Sequence, residues 1–303
     1  GLEGIALTHH LMILRFSILS IGLGGGAING GVNALVADTA EGDRGASLSL
    51  LGVFFGLGAL GVPVLLGILV NVLPYEKILL WIGIAVWVPM ILFLFMAFPP
   101  PKHPHGFPFR KATRLLKDPW IILTGWVLFI QSGMEGLANN WSTTFLQDNK
   151  EFLSQHALFS LSCLVAGMTA TRLILGWALH HVRSGPVLFL SIGLSISGSL
   201  IVLLAESHLA AYAGMVILGA GLAACFPVVM GFVTDRYRSL SGTALSMVLV
   251  MALLGNMVMN YGMGIIANAH GTGILPMVLA GGIFLQLFLL LFVLKRIRYK
   301  KTI

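Results

Sequence analysis

Nine long apolar segments, joined by mostly short polar connections, make up most of the chain. They cover about residues 11–37, 46–70, 78–98, 119–145, 157–181, 185–205, 208–234, 240–267 and 273–294. A helix needs roughly 20 apolar residues to cross a bilayer, and each segment meets that length. The strands of a membrane barrel would instead alternate over about 10 residues. The pattern therefore predicts an all-α polytopic membrane protein with nine transmembrane helices.

The composition excludes several other classes. Of the 303 residues, 57% are hydrophobic and 10% are charged, whereas a soluble domain is about a quarter charged. Disorder requires low hydrophobicity and high net charge. The two cysteines, Cys163 and Cys225, lie in separate spans without metal-ligand spacing. We also find no nucleophile–base pair, HExxH motif or P-loop lysine, so we expect no enzyme, no bound metal and no cofactor.

Lys and Arg predict the orientation of the chain. Residues 102–117 and residues 295–301 carry five each, and Arg44, Arg172, Arg183, Arg236 and Arg238 fall on the same predicted side. By the positive-inside rule, this side and the C-terminus are cytoplasmic. The basic residues are then topology signals that also contact membrane lipids, and no nucleic-acid partner is expected. Residues 99–118 are predicted to form a basic cytoplasmic linker.

An internal repeat predicts how the helices are grouped. Residues 21–71 align without a gap with residues 218–268, pairing Gly22 with Gly219 and Asp38 with Asp235. Parallel repeats of this kind relate the two six-helix halves of one transporter class. The register predicts that the chain holds the fourth to twelfth of twelve helices and is truncated at its N-terminal part. The predicted domains are residues 1–98, three helices of the first bundle, and residues 119–303, the second bundle.

Three motifs resemble one transporter family. The stretch from Gly22 to Gly67 resembles helices four and five of the fucose-permease-like sugar:proton symporters of the major facilitator superfamily. SGMEGLANNW (132–141) is similar to their seventh helix, and TRLILGW (171–177) to the Arg-containing segment near the loop between helices eight and nine. The resemblance implies a central cavity lined by the first, fourth, seventh and tenth helices, with Phe226 on the last of these.

Polar residues inside the apolar spans are candidate site residues, since an ionisable group in hydrocarbon is costly. Gln131, Glu135 and Asn139 recur at four-residue spacing and share a helix face, with Asn140 and Trp141 next to them. These side chains suit a hydroxyl-rich or cationic solute, with Glu135 as a coupling group. The alternative is that Glu135 is neutral and hydrogen-bonded between packed helices, or that it lies near the water-exposed outer end of its span.

Four further residues have open alternatives. Asn29 and Asn33, also four apart, are predicted to face the cavity or to join helices by hydrogen bonds. Arg172 and Asp235 are predicted to form an ion pair that gates the inner side, unless Arg172 extends to the lipid headgroups.

The sequence thus predicts a secondary active transporter of a small polar solute. The resemblance implies that the solute is a sugar and that its transport is coupled to protons. The expected protein is a monomer in a plasma or bacterial inner membrane. The alternatives are an exporter of amphipathic drugs or metabolites and a non-transporting membrane receptor or scaffold.

Overall fold

The computed structural model describes residues 1–39, 44–98, 115, 117–237 and 241–301, without the side chains of 29, 30, 33, 34, 37–39, 44–53, 176–181, 241, 242 and 297–301. The described part of the chain contains no strand. Its α-helices are α1 (Leu2–Leu7), α2 (Leu11–Thr39), α3 (Arg44–Leu69), α4 (Tyr75–Leu94), α5 (Pro119–Lys150), α6 (Ser154–His181), α7 (Ser184–Leu204), α8 (His208–Leu222), α9 (Cys225–Arg236), α10 (Ser241–His270) and α11 (Leu275–Lys301).

The all-α prediction is confirmed, and the predicted spans correspond to these helices. Within the described residues, eight spans are long and apolar enough to cross a membrane, with His208–Arg236 as one of them. The remaining predicted span, 46–70, coincides with α3. The structure adds the short helix α1 and extends α5 to Lys150 and α11 to Lys301.

The chain forms two compact units, residues 1–106 and 107–303. In the first unit, α1 lies against α4, where Trp87 Nε1 donates to Glu3 Oε1 over 2.6 Å. The apolar surfaces of α2 and α4 are largely exposed. Gly22, Gly24 and Gly25 on α2 have no neighbouring atom where a side chain would project. The close packing that a glycine-rich span suggests is therefore not formed by this part of α2 in the first unit.

In the second unit, glycines do bring helices together. A Cβ on Gly255 of α10 would overlap the Phe129 carbonyl of α5, and one on Gly219 of α8 would overlap the Leu164 carbonyl of α6. Small residues allow such close backbone approach, which dispersion forces stabilise in the absence of a hydrophobic driving force in lipid. The unit is therefore a tightly packed helix bundle in which α5 lies between α10 and α11.

We predict that Gly255→Ala destabilises this bundle, because its methyl group would force α5 and α10 apart. Overpacking of this kind costs about 1–3 kcal/mol. Gly262→Ala on the same helix is the matched control, since nothing lies within 4 Å of its Cβ position. Thermal unfolding in detergent should show a lower melting temperature for the Gly255 variant only. Equal melting of the two variants would contradict the proposed close contact.

One predicted span is broken in the structure. The segment 208–234 was expected to be continuous, but α8 ends at Leu222 and α9 begins at Cys225. Pro227 explains the break, because it has no N–H to donate to the Ala223 carbonyl and its ring would collide with that group. The break frees the carbonyls of Gly221 and Leu222. Ser191 Oγ donates to the first, and Gln131 Nε2 donates to the second over 2.6 Å.

The helix break lies where two apolar clusters meet. One buried cluster contains Met134, Leu222 and Leu279, and the other contains Leu128, Cys225 and Ile283. Between them, in chain order, come Gln131 on α5 and the break after Leu222. We call Gln131, Gln286 and the Leu222 carbonyl the polar layer. Gln286 Nε2 donates to Gln131 Oε1 over 2.5 Å, so the layer joins α5, α8 and α11.

Candidate transport site

An ion pair lies near the middle of two membrane-spanning helices. Arg172 Nη2 of α6 donates to Glu135 Oε1 of α5 over 3.1 Å. Glu135 is 16 residues from the start of α5, about 24 Å along its axis, and Arg172 is nine residues from the end of α6, about 14 Å. The side chains remain 25% and 43% exposed, respectively. The pair is therefore at hydrocarbon depth but open to an approaching molecule.

Gln131 and Glu135 are one turn apart on α5, but their side chains lie in different surroundings. Its side chain is buried, with its amide committed to Leu222 and Gln286. Four residues advance a helix by about 40° beyond a full turn, which is enough to move from the buried polar layer to the exposed face. The solute contact predicted for Gln131 stays a prediction, because its side chain is buried and already bonded to Leu222 and Gln286.

The remaining predicted residues of α5 divide between two neighbourhoods. Asn139 is half-buried and its side chain donates to the Glu135 carbonyl over 2.8 Å. Asn140 is exposed and donates to Asn260 Oδ1 of α10 over 3.0 Å. Trp141 packs beside Gly264 of α10 and the apolar cluster around Met134. Asn139 thus lies next to the ion pair, while Asn140 and Trp141 lie along the α5–α10 seam.

This seam is a ladder of amides. Asn260 donates both to the Asn256 carbonyl and to Asn256 Oδ1, and Asn256 Nδ2 donates to the Ser132 carbonyl over 3.2 Å. Gly136 makes room for it, because a Cβ there would lie 2.5 Å from Asn256 Nδ2. Asn140, which donates to Asn260, is the exposed residue at one end of this row of hydrogen-bonded amides.

The predicted gating ion pair between Arg172 and Asp235 is wrong, because Arg172 has a different partner in the structure. Arg172 pairs with Glu135 and not with Asp235, since Asp235 is exposed in the last turn of α9, far along the bundle from the polar layer. Phe226 follows the helix break and packs, half-buried, against the cluster around Leu128. The side chains of Asn29 and Asn33 lie outside the described residues.

Three polar residues of this region were missed by the sequence analysis. Gln286 is buried in α11, within an otherwise apolar run of the sequence. Asn256 and Asn260 are four residues apart on α10. The rule that identified Glu135 also applies to them, because polar groups in a membrane span need partners. Sequence alone gave no sign of which helices supply those partners.

The end of the second unit where α5 begins carries a separate polar cluster. Asp118 caps α5 by accepting from Trp120 N over 2.8 Å, and Tyr237 Oη donates to Asp118 Oδ2 over 2.5 Å. Burial raises the pKa of Asp118, but the hydrogen bonds from Tyr237 and Trp120 and the charges of Arg236 and Arg296 bring it below its ordinary value. Burial is the larger cause, and the hydrogen bond to Asp118 the second, of the rise in the pKa of Tyr237 to about 12.

We predict that Asp118→Ala destabilises the second unit by about 1 kcal/mol, the usual cost of losing a helix N-cap. Asp118→Asn should cost less, because an amide oxygen still accepts from the backbone. Since the folded pKa of Asp118 is lowered, its contribution is present above the unfolded value, about 3.9, and is lost as the pH falls through the folded value. Melting curves between pH 3 and 7 should show this acid loss in the wild type and not in Asp118→Asn.

Comparison with known proteins decides the class of the molecule. A family model, Major Facilitator Superfamily, matches residues 4–206. The chain belongs to the Major Facilitator Superfamily. It is therefore a multi-pass membrane protein of a transporter family and not an enzyme, and the superfamily prediction is confirmed.

Two individual proteins are similar to the chain. The "Sodium-dependent glucose transporter 1" of Xenopus laevis is 24% identical over 277 residues, which are 81% of this chain and 56% of that protein. The chain thus spans little more than half the length of this relative. The solved structure of a bacterial homologue of the human lysosomal transporter Spinster, inward-facing and unoccupied, has a TM-score of 0.64 at 15% identity. That likeness covers 96% of this chain and 78% of the other and supports the fold.

Proposed function

We propose that this superfamily member moves a small hydroxyl-rich solute, of the sugar class, by alternating access, and that Glu135 couples the movement to an ion. The observation that carries the proposal is the Glu135–Arg172 ion pair, which is partly exposed at mid-helix depth. An ionisable pair at this depth is costly and is typical of substrate or ion pathways. Transporter sites lie near the bilayer midplane, and the position of the pair near the middle of α5 supports the proposal.

The chemistry of the site suits hydroxyl groups. The Glu135 carboxylate accepts hydrogen bonds, the Arg172 guanidinium donates them, and the amide oxygen of the neighbouring Asn139 accepts them. A solute with several neighbouring hydroxyls can satisfy all three and so replace the bond between Glu135 and Arg172. The glucose transporter relative, whose name refers to a sugar, supports this class of substrate.

The same exchange provides coupling. When a solute replaces the bond to Arg172, the Glu135 carboxylate loses its counter-charge in a low-dielectric setting, and binding a cation compensates for that loss. A proton or a sodium ion can fill this role. The sequence resemblance favours a proton, while the name of the Xenopus relative refers to sodium. Asn29, Asn33 and Phe226 stay candidate cavity residues. The protein is also proposed to be a monomer whose C-terminus is cytoplasmic.

The test is uptake of labelled sugars by proteoliposomes that contain the protein, under an imposed pH gradient or sodium gradient. The proposal expects accumulation under one gradient and its collapse when an ionophore for that ion is added. Efflux of amphipathic dyes without sugar uptake would instead support the exporter alternative. A protein that moves neither class of solute would support the scaffold alternative.

A further inference from the structure

An open groove lies between the first turns of α5 and the last described turns of α11. Its volume is about 560 Å³. Apolar side chains form most of its lining and two basic residues stand at one end. Its principal residues are Ile122, Trp126, Leu289, Phe292, Lys295 and Arg296. This groove is at the Asp118 end of the unit and is separate from the Glu135–Arg172 pair.

The charged end of the groove is net positive. Lys295 and Arg296 are both exposed. Arg296 is near enough to Asp118 to lower the pKa of that carboxyl. However, Asp118 already accepts hydrogen bonds from Tyr237 and from Trp120 N, so its oxygens are engaged. With this carboxylate counted, the two cations still leave an excess positive charge at the groove.

The apolar part of the groove continues away from these charges. Leu289 and Arg296 are seven residues apart on α11, which is about 10 Å of helix. Ile122 and Trp126 form the opposite wall one turn apart, and both are more than 40% exposed. A ligand that matches the groove therefore has an anionic head followed by a hydrocarbon chain.

We propose that this groove binds an anionic phospholipid, with its phosphate at Lys295 and Arg296 and an acyl chain along Trp126 and Phe292. Basic pockets between transmembrane helices are suited to anionic headgroups, and each nearby cation strengthens such binding. Phosphate also accepts bidentate hydrogen bonds from a guanidinium, so Arg296 gives orientation as well as charge. This inference does not depend on the transported solute or on the coupling ion.

The test uses Trp126 as the reporter. The chain is placed in nanodiscs that contain brominated phosphatidylglycerol or brominated phosphatidylcholine at equal mole fraction, since bromine quenches a tryptophan it contacts. Subtracting the signal of Trp126→Phe isolates this residue from the other five tryptophans. We expect stronger quenching of Trp126 by the anionic lipid.

Charge removal then tests the headgroup contact. Lys295→Gln and Arg296→Gln should each weaken the preference for phosphatidylglycerol by roughly fivefold. Arg183→Gln, which removes an exposed arginine at the start of α7, should leave it unchanged. Equal quenching by the two lipids, or a preference that survives both groove substitutions, would overturn the proposal. No quenching by either lipid would mean that protein covers the groove, and would overturn it as well. If a variant does not fold, the comparison of the two lipids on the wild type still decides.

Discussion

Replacing Glu135 with Gln should abolish ion-driven accumulation of solute while exchange of solute across the membrane continues. The amide keeps the shape of the carboxyl group but cannot bind and release a proton or pair with sodium. Solute would then only equilibrate across the membrane. The measurement is the ratio of internal to external labelled solute under the imposed gradient, together with counterflow in its absence.

Glu206→Gln is the matched control for this experiment, because Glu206 is an exposed acid between α7 and α8. It should behave as the wild type in both assays. If accumulation and exchange both survive in Glu135→Gln, the ion pair only holds α5 to α6. If both fall together, Glu135 binds solute without coupling it to an ion.

The second large effect is expected from Gln131→Leu in the polar layer. Leucine fills a similar volume but leaves the Leu222 carbonyl and the Gln286 amide without their partner. An unsatisfied buried polar group costs about 1–3 kcal/mol, although hydrogen bonds between transmembrane helices average only about 0.6 kcal/mol. We therefore expect a loss of up to about 3 kcal/mol in the free energy of unfolding, measured by denaturation in detergent.

A double-mutant cycle separates the layer from general packing effects. Gln131→Leu and Gln286→Leu remove two ends of one hydrogen bond, so the double variant should lose less than the sum of the single losses. Gln147→Leu makes the same chemical change in the last turn of α5, where the side chain is half-buried, and should cost little. Strictly additive losses would contradict the direct bond between the two glutamines.

The sequence predicted the helices well because length and hydropathy determine a membrane span. It also identified Glu135 and Arg172 separately, since each is an ionisable residue inside an apolar segment. The pairing between them was missed, because sequence gives depth along a helix but not which faces of α5 and α6 meet. For the same reason Arg172 was assigned to Asp235, because both residues lie toward the same predicted side of the membrane.

The helix break shows a second limit. Hydropathy over 208–236 is continuous, so the break is invisible to a span prediction, and only Pro227 signals it. The aligned copy has Gly30 at the corresponding position and α2 is continuous there. The two copies therefore differ in backbone, although their sequences align without a gap. The role of Gln131 depends on this difference, because its donor bond goes to a carbonyl that the break sets free.

Infrared difference spectroscopy on the protein in lipid, recorded as the transported solute is added, tests most directly whether solute and coupling ion meet at Glu135. We predict a change in a carboxyl band that is absent in Glu135→Gln and altered in Arg172→Gln, because solute would replace the bond between these two residues. A solute-induced spectrum with no carboxyl component, or with the same component in Glu135→Gln, would contradict the account.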